Sequence, residues 1–169
     1  ENFPESQQGR AGLMQTALVE AREGRYADAR RHLTEYLALN ISAEQRADAL
    51  YWRGWVAFEA EDYAAAAADL KTARDDKPQW FGPATERLVF AAYKLQRPEE
   101  LTQHIREWDV WVARHPGEGQ LTNPTVILWL ANALAAKESW EDAEIFFARV
   151  AEHGGPALRP EALLGAGRA

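Results

Sequence analysis

At 169 residues, 47 % of them hydrophobic, the chain has enough apolar material for one ordinary domain or a short solenoid, which excludes disorder. Its 19 basic and 26 acidic residues give a formal charge of -7, which argues against a binder of the nucleic-acid backbone, since no basic patch stands ready to release counterions. Cysteine is absent, which excludes disulfides, thiolate zinc sites and cysteine nucleophiles.

The chain opens on Glu1-Asn2-Phe3-Pro4 without an initiator Met, as a mature secreted protein or a trimmed chain does, and residues 1–9 read as a flexible N-terminal segment. Its abundance of Ala and Arg points to a bacterium with a G+C-rich genome. From Gln15 to Leu33 the spacing predicts a helix pair: Ala17 on the first helix, a link at Glu23-Gly24-Arg25, then Tyr26, Ala29 and Leu33 on the second. Arg22, Arg25, Arg30, Arg31 and His32 are interleaved there with Glu20, Glu23, Asp28 and Glu35, so the basic stretch reads as a solvated helix face. The run from Trp52 to Leu70 repeats the arrangement with Gly54, a link at Glu61-Asp62, Tyr63, Ala66 and Leu70. Ala131, Trp140, Ala143 and Phe147 repeat it again. In each case a small residue stands nine positions before an aromatic, a second small residue three after it, and a large apolar residue four beyond that. Such recurrence marks a repeat architecture. The small residue lets the two helices of a pair approach, the aromatic plugs the open end between them, and the later two residues share one face of the second helix. A lone pair leaves one apolar side bare, so neighbours must stack.

Tyr26, Tyr63 and Trp140 lie 37 and then 77 residues apart, which leaves room for one further pair after Lys77-Pro78 ends the second. Its first helix is predicted from about Ala84 to Leu95, with Leu88, Ala91, Ala92 and Leu95 inward. Its second is predicted from about Glu99 to Arg114, with Leu101, Ile105, Trp108 and Trp111 as the apolar stripe. Arg97-Pro98-Glu99-Glu100 reads as a helix start, with Pro early and acids in the first turn. No aromatic occupies the plug position, where Leu101 is the substitute. His115-Pro116-Gly117 ends the helix, Gly117 to Pro124 reads as a polar loop, and Thr122 or Asn123 is the cap before Pro124. Val126 to Ala136 is the longest apolar run, about half of the ~20 residues a membrane span needs, and Asn132 interrupts it. Beyond Gly154-Gly155-Pro156, residues 156–169 hold a short helical segment at Pro160 to Leu164, which either caps the stack or begins a further repeat.

These residues resemble the tetratricopeptide repeat family, whose units carry a Trp/Leu, Gly/Ala, Tyr, Ala, Phe/Tyr, Ala, Pro pattern over about 34 residues. The second unit matches through Leu50, Gly54, Phe58, Tyr63, Ala66, Leu70, Ala73 and Pro78; the fourth through Ile127, Leu130, Ala131, Leu134, Trp140, Ala143, Phe147 and Val150. The first matches through Leu13, Ala17, Gly24, Tyr26, Ala29 and Leu33, with Tyr36 where Ala is usual, and the third only through Leu88, Ala92 and Pro116. The resemblance implies an all-α fold over residues 10–155, about four antiparallel helix pairs stacked as a right-handed superhelical solenoid. It further implies a concave surface lined by the first helices, used for protein or peptide binding. Carried over, the lining is Met14, Leu18 and Arg22; Tyr51, Trp55 and Glu59; Val89, Tyr93 and Arg97; Leu128, Asn132 and Ala136. Relatives that clamp a terminal carboxylate use Lys, Asn and Arg at such places. Here only Asn132 fits, so the lining implies an apolar, aromatic groove flanked by charge. Trp52 and Trp55 share one side of a helix, and Trp55 either faces that groove or packs on its neighbours.

Catalytic motifs are missing: the sequence has no Gly-rich phosphate loop, His-Glu-x-x-His pair or Gly-x-Ser-x-Gly elbow. His104 and His115 stand about 16 Å apart along a helix and cannot share a metal. His32 and His153 stand alone. No cofactor, metal, nucleic acid or membrane span is expected. The expectation is a non-catalytic scaffold or adaptor for a protein or peptide, with self-association as one open alternative. A helical accessory region of a larger enzyme or of a secretion or cell-envelope assembly is another. Ala49-Leu50-Tyr51-Trp52-Arg53-Gly54 and Tyr63-Ala64-Ala65-Ala66 resemble envelope tetratricopeptide proteins, which places the periplasm or cell envelope ahead of the cytoplasm.

Overall fold

The computed structural model describes residues 7–115 and 123–167, which form helices and no strand. In chain order these are α1 (Gln7–Arg22), α2 (Tyr26–Leu37), α3 (Ala43–Glu59), α4 (Tyr63–Asp76), a 3-10 turn at Pro78–Trp80, α5 (Phe81–Lys94), α6 (Pro98–Val112), α7 (Pro124–Ala136), α8 (Trp140–His153) and α9 (Gly155–Ala166). The chain divides into two compact units, residues 1–91 and 92–169. In the first, α1 packs on α2, α2 on α3 and α3 on α4; in the second, α6 packs on α7, α7 on α8 and α8 on α9. No helix among the described residues is long and apolar enough to cross a membrane.

The links α1–α2, α3–α4, α5–α6 and α7–α8 are each three residues long and share one backbone geometry. Their middle residues, Gly24, Glu61, Gln96 and Glu138, have φ of 75°, 60°, 57° and 61°. The following amide reaches back five residues: Arg25 N–H to the Glu20 carbonyl (2.8 Å), Asp62 to Ala57 (2.8 Å), Arg97 to Ala92 (2.9 Å) and Ser139 to Leu134 (3.0 Å). This Schellman closure satisfies carbonyls that the helix end would otherwise strand. It also sets a register that is the same in all four pairs. Tyr26, Tyr63, Pro98 and Trp140 are the first residues of the second helices. Pro98, buried and with a fixed φ suited to the first helical position, therefore occupies the plug position. Leu101, expected there, instead stands with Ala29, Ala66 and Ala143, all fully buried.

Capping residues explain where the helices begin. Ser42 accepts from the Gln45 amide (3.1 Å) while the Gln45 side chain accepts from the Ser42 amide (3.0 Å), a complete capping box on α3. Asp62 accepts from the Ala65 amide (3.2 Å) and caps α4; Asn123 accepts from the Val126 amide (3.3 Å) and caps α7. Within the α3–α4 pair, a Cβ on Gly54 would lie 2.8 Å from Leu70 Cγ, which is why that position is small.

Several expectations change. The segment expected to be flexible over 1–9 is helical from Gln7, and residues 1–6 lie outside the described residues. So do Pro116, Gly117 and the rest of the expected loop up to Thr122. The tail helix is more than twice the predicted Pro160 to Leu164, because α9 runs through Pro160 and gives up the bond to the carbonyl four residues back. Gly165 lets α9 sit directly on the Phe147 ring.

Candidate functional site

Measured from the turn residue, the expected lining positions fall ten, six and two residues earlier in three pairs: Met14, Leu18 and Arg22; Tyr51, Trp55 and Glu59; Leu128, Asn132 and Ala136. Val89, Tyr93 and Arg97 do not. The turn at Gln96 places them three residues out of register, and the equivalents are Glu86, Phe90 and Lys94. Val89 is buried, at the small-residue position of Ala17, Gly54 and Ala131, and Arg97 lies in the link, paired with Glu100 at 3.2 Å. This pair has neither the link glycine nor the aromatic plug, so its register carried no signal in the sequence.

In the first unit, Met14 and Trp55 pack against one cluster of buried residues, Ala17, Ala21, Ala29, Leu33 and Val56. Leu18, Trp55 and Phe90, the residues six before each turn, are all half-buried. Trp55 meets Trp52 edge to face with centroids 6.0 Å apart, and Phe90 leans on Phe58 (5.7 Å) and Tyr63 (6.2 Å). The Arg87 guanidinium lies 5.9 Å from the Phe58 ring centre. Arg22, Glu59 and Glu86 are exposed.

Tyr51 differs from its neighbours in the lining. Only 5 % of it is exposed, because the Trp80 ring stacks on it with centroids 3.8 Å apart and planes 8° from parallel. Burial pushes the Tyr51 phenol pKa up. Trp80 Nε1–H donates to Asp48 Oδ1 at 2.7 Å, and Lys77 Nζ donates to both Asp48 oxygens at 2.7 and 2.8 Å, which raises the pKa of the Lys77 ammonium. The role of Trp80 escaped sequence reasoning; Lys77-Pro78 marked a helix end but gave no sign of what the turn covers.

In the second unit Leu128 is buried and Asn132 exposed, while Tyr93 meets Trp129 edge to face at 5.2 Å. Trp108 is buried as expected of a core residue, and Trp111 is half-buried between it (5.1 Å) and the His115 ring (4.4 Å). His104 is buried. A groove of about 450 Å³ between α6 and α8 is lined by Arg106, Asp109, Ile145, Phe146, Arg149 and His153, with Arg149 paired to Asp109 at 2.6 Å and Arg106 to Asp142.

His32, expected to stand alone, donates from Nδ1 to the buried Glu20 carboxylate at 2.6 Å, so that end of the basic stretch ties α2 to α1. Among the described residues no group of three or more His, Asp or Glu is placed to hold a metal ion. The arrangement offers half-buried apolar side chains between charges. No protein-family model matches the sequence, and no curated protein matches it either.

Proposed function

We propose that the chain is a non-catalytic scaffold or adaptor built from tetratricopeptide-type helix pairs, binding a protein or peptide through the inner faces of its first helices. One observation carries this reading: in three successive pairs the residue beside the buried small position is a large, half-buried apolar side chain, Leu18, Trp55 and Phe90. Half-exposed anchors flanked by charges such as Arg22, Glu59 and Glu86 are the composition by which proteins hold a segment with large apolar side chains.

A photo-crosslinking residue placed singly at positions 18, 55 and 90, and at exposed Val19 as the neighbour on another face, tests this in cells of the source organism. The reading predicts a common adduct from 18, 55 and 90 and none from 19. Equal adducts from all four positions contradict it. A second reading, a helical region that packs on further protein, is favoured by the outward Leu163 and Leu164 of α9, 56 % and 63 % exposed. Mass measured across concentration then separates self-association from contact with another chain.

A further inference from the structure

We propose that Asp48, Tyr51 and Trp52 form a slot for an indole, occupied here by the chain's own Trp80, and that a tryptophan side chain borne by a peptide displaces it. Three groups define the slot. Tyr51 supplies a flat floor 3.8 Å below the bound ring, Trp52 a wall meeting it at 75° with centroids 6.1 Å apart, and Asp48 Oδ1 an acceptor 2.7 Å from the indole nitrogen. Stacking selects a large aromatic, and the carboxylate selects one that carries an N–H, because a charged acceptor makes the stronger bond. Phenylalanine satisfies only the first demand. Tyr51 and Trp52 lie side by side on α3, and Tyr51 stands at a lining position of the first unit.

Trp80 packs on the edge of the buried cluster that includes Tyr51, and two features make it a replaceable occupant there. It stands at the end of a three-residue 3-10 turn and stays half-buried. When its ring swings away, Asp48 keeps both bonds to Lys77 at 2.7 and 2.8 Å, so displacement leaves no buried charge unpaired. A ligand must still replace the stack and the bond that Trp80 makes in cis, so the native chain binds it more weakly than a chain without Trp80. The source of that tryptophan, a peptide partner, rests on the scaffold reading above; the slot itself does not.

The test uses N-acetyl-L-tryptophanamide as an uncharged mimic of a peptide-borne tryptophan, its 1-methylindole analogue, and free tryptophan, against native protein, Trp80→Ala and Trp80→Leu, each checked for helicity. The amide is expected to bind folded W80A with 1:1 stoichiometry and to raise its melting temperature. It binds W80L, whose slot is filled, and the native chain at least about tenfold more weakly. The methylated analogue loses about tenfold on W80A, and free tryptophan, with its own carboxylate near Asp48, binds no better than the amide. In the native chain, saturating amide shifts the Trp80 indole N–H resonance, assigned by its absence from W80L, toward the solvent value. Binding that is equal in native and W80A, absent from folded W80A, or indifferent to methylation overturns the slot. A Trp80 resonance unmoved at saturation overturns displacement. Failure of crosslinking from positions 18, 55 and 90 with the slot intact would sink the scaffold reading alone.

Discussion

Glu61, Gln96 and Glu138 hold positive φ angles that glycine adopts freely and other L-residues adopt at a cost of about 1–2 kcal/mol. Glu61→Gly is therefore predicted to stabilise the chain by about 1 kcal/mol, and Gly24→Ala to destabilise it by a similar amount, both read by denaturant midpoints at constant m. Gly54 obeys the opposite logic. Its Cβ would press on Leu70 Cγ at 2.8 Å and on the Leu70 amide at 3.1 Å, so overpacking of about 1–3 kcal/mol outweighs the roughly 1 kcal/mol that Ala gains in a helix. Gly54→Ala is predicted to lower the thermal midpoint. At Asp62 two effects separate. Alanine removes the α4 cap and costs about 1 kcal/mol, whereas asparagine keeps the cap and loses only the Arg30 ion pair, worth about 0.5 kcal/mol. The Arg30 bond and then the Ala65 amide hold the Asp62 pKa below its ordinary 3.8. A carboxylate depressed in the folded state contributes stability that is full above its unfolded pKa and lost as pH falls through the folded one. The difference between native protein and Asp62→Asn should accordingly be present at neutral pH and vanish in acid below that carboxylate range. A difference that persists at low pH would contradict this assignment.

Helix pairs one, two and four were legible because each carries a small residue, an aromatic and an Ala at fixed spacing; the small residue and the Ala are buried in all three, whereas Trp140, expected to plug its pair, is 43 % exposed. At the third link the same positions hold other residues. Pro98 starts the helix where an aromatic plug is usual, Val89 fills the small position, and Gln96 takes the left-handed turn without glycine. Substitutes of unlike chemistry leave no pattern to read, so its helices were found near their true bounds but three residues out of register. The tail was misjudged for a related reason: Pro160 suggested a helix start, yet α9 runs through it and is held by packing on α8. Gly165 is the close contact there, so Gly165→Leu is predicted to unseat α9 from Phe147. Hydrogen exchange would then speed across residues 155–166 while α7 and α8 keep their protection; unchanged exchange in α9 would count against this packing.

At the scale of the molecule, the all-helical class was readable from the recurring helix-pair spacing, whereas the contacts at the candidate site were not. Leu18 and Trp55, which the resemblance put in the lining, are half-buried and apolar, but Tyr51 is closed off by Trp80, a contact between residues 29 positions apart that no local pattern encodes. Phe90 emerged only once the turn at Gln96 fixed the register of its helix. The account stands or falls on whether Leu18, Trp55 and Phe90 act as anchors. The direct measurement is affinity capture from an extract of the source organism, with native protein beside a Leu18→Ala, Trp55→Ala, Phe90→Ala variant whose helicity and cooperative melting are first shown to persist. The account predicts a partner retained by the native chain and lost from the variant. The same partner retained equally by both would contradict it and move the docking surface away from the first helices.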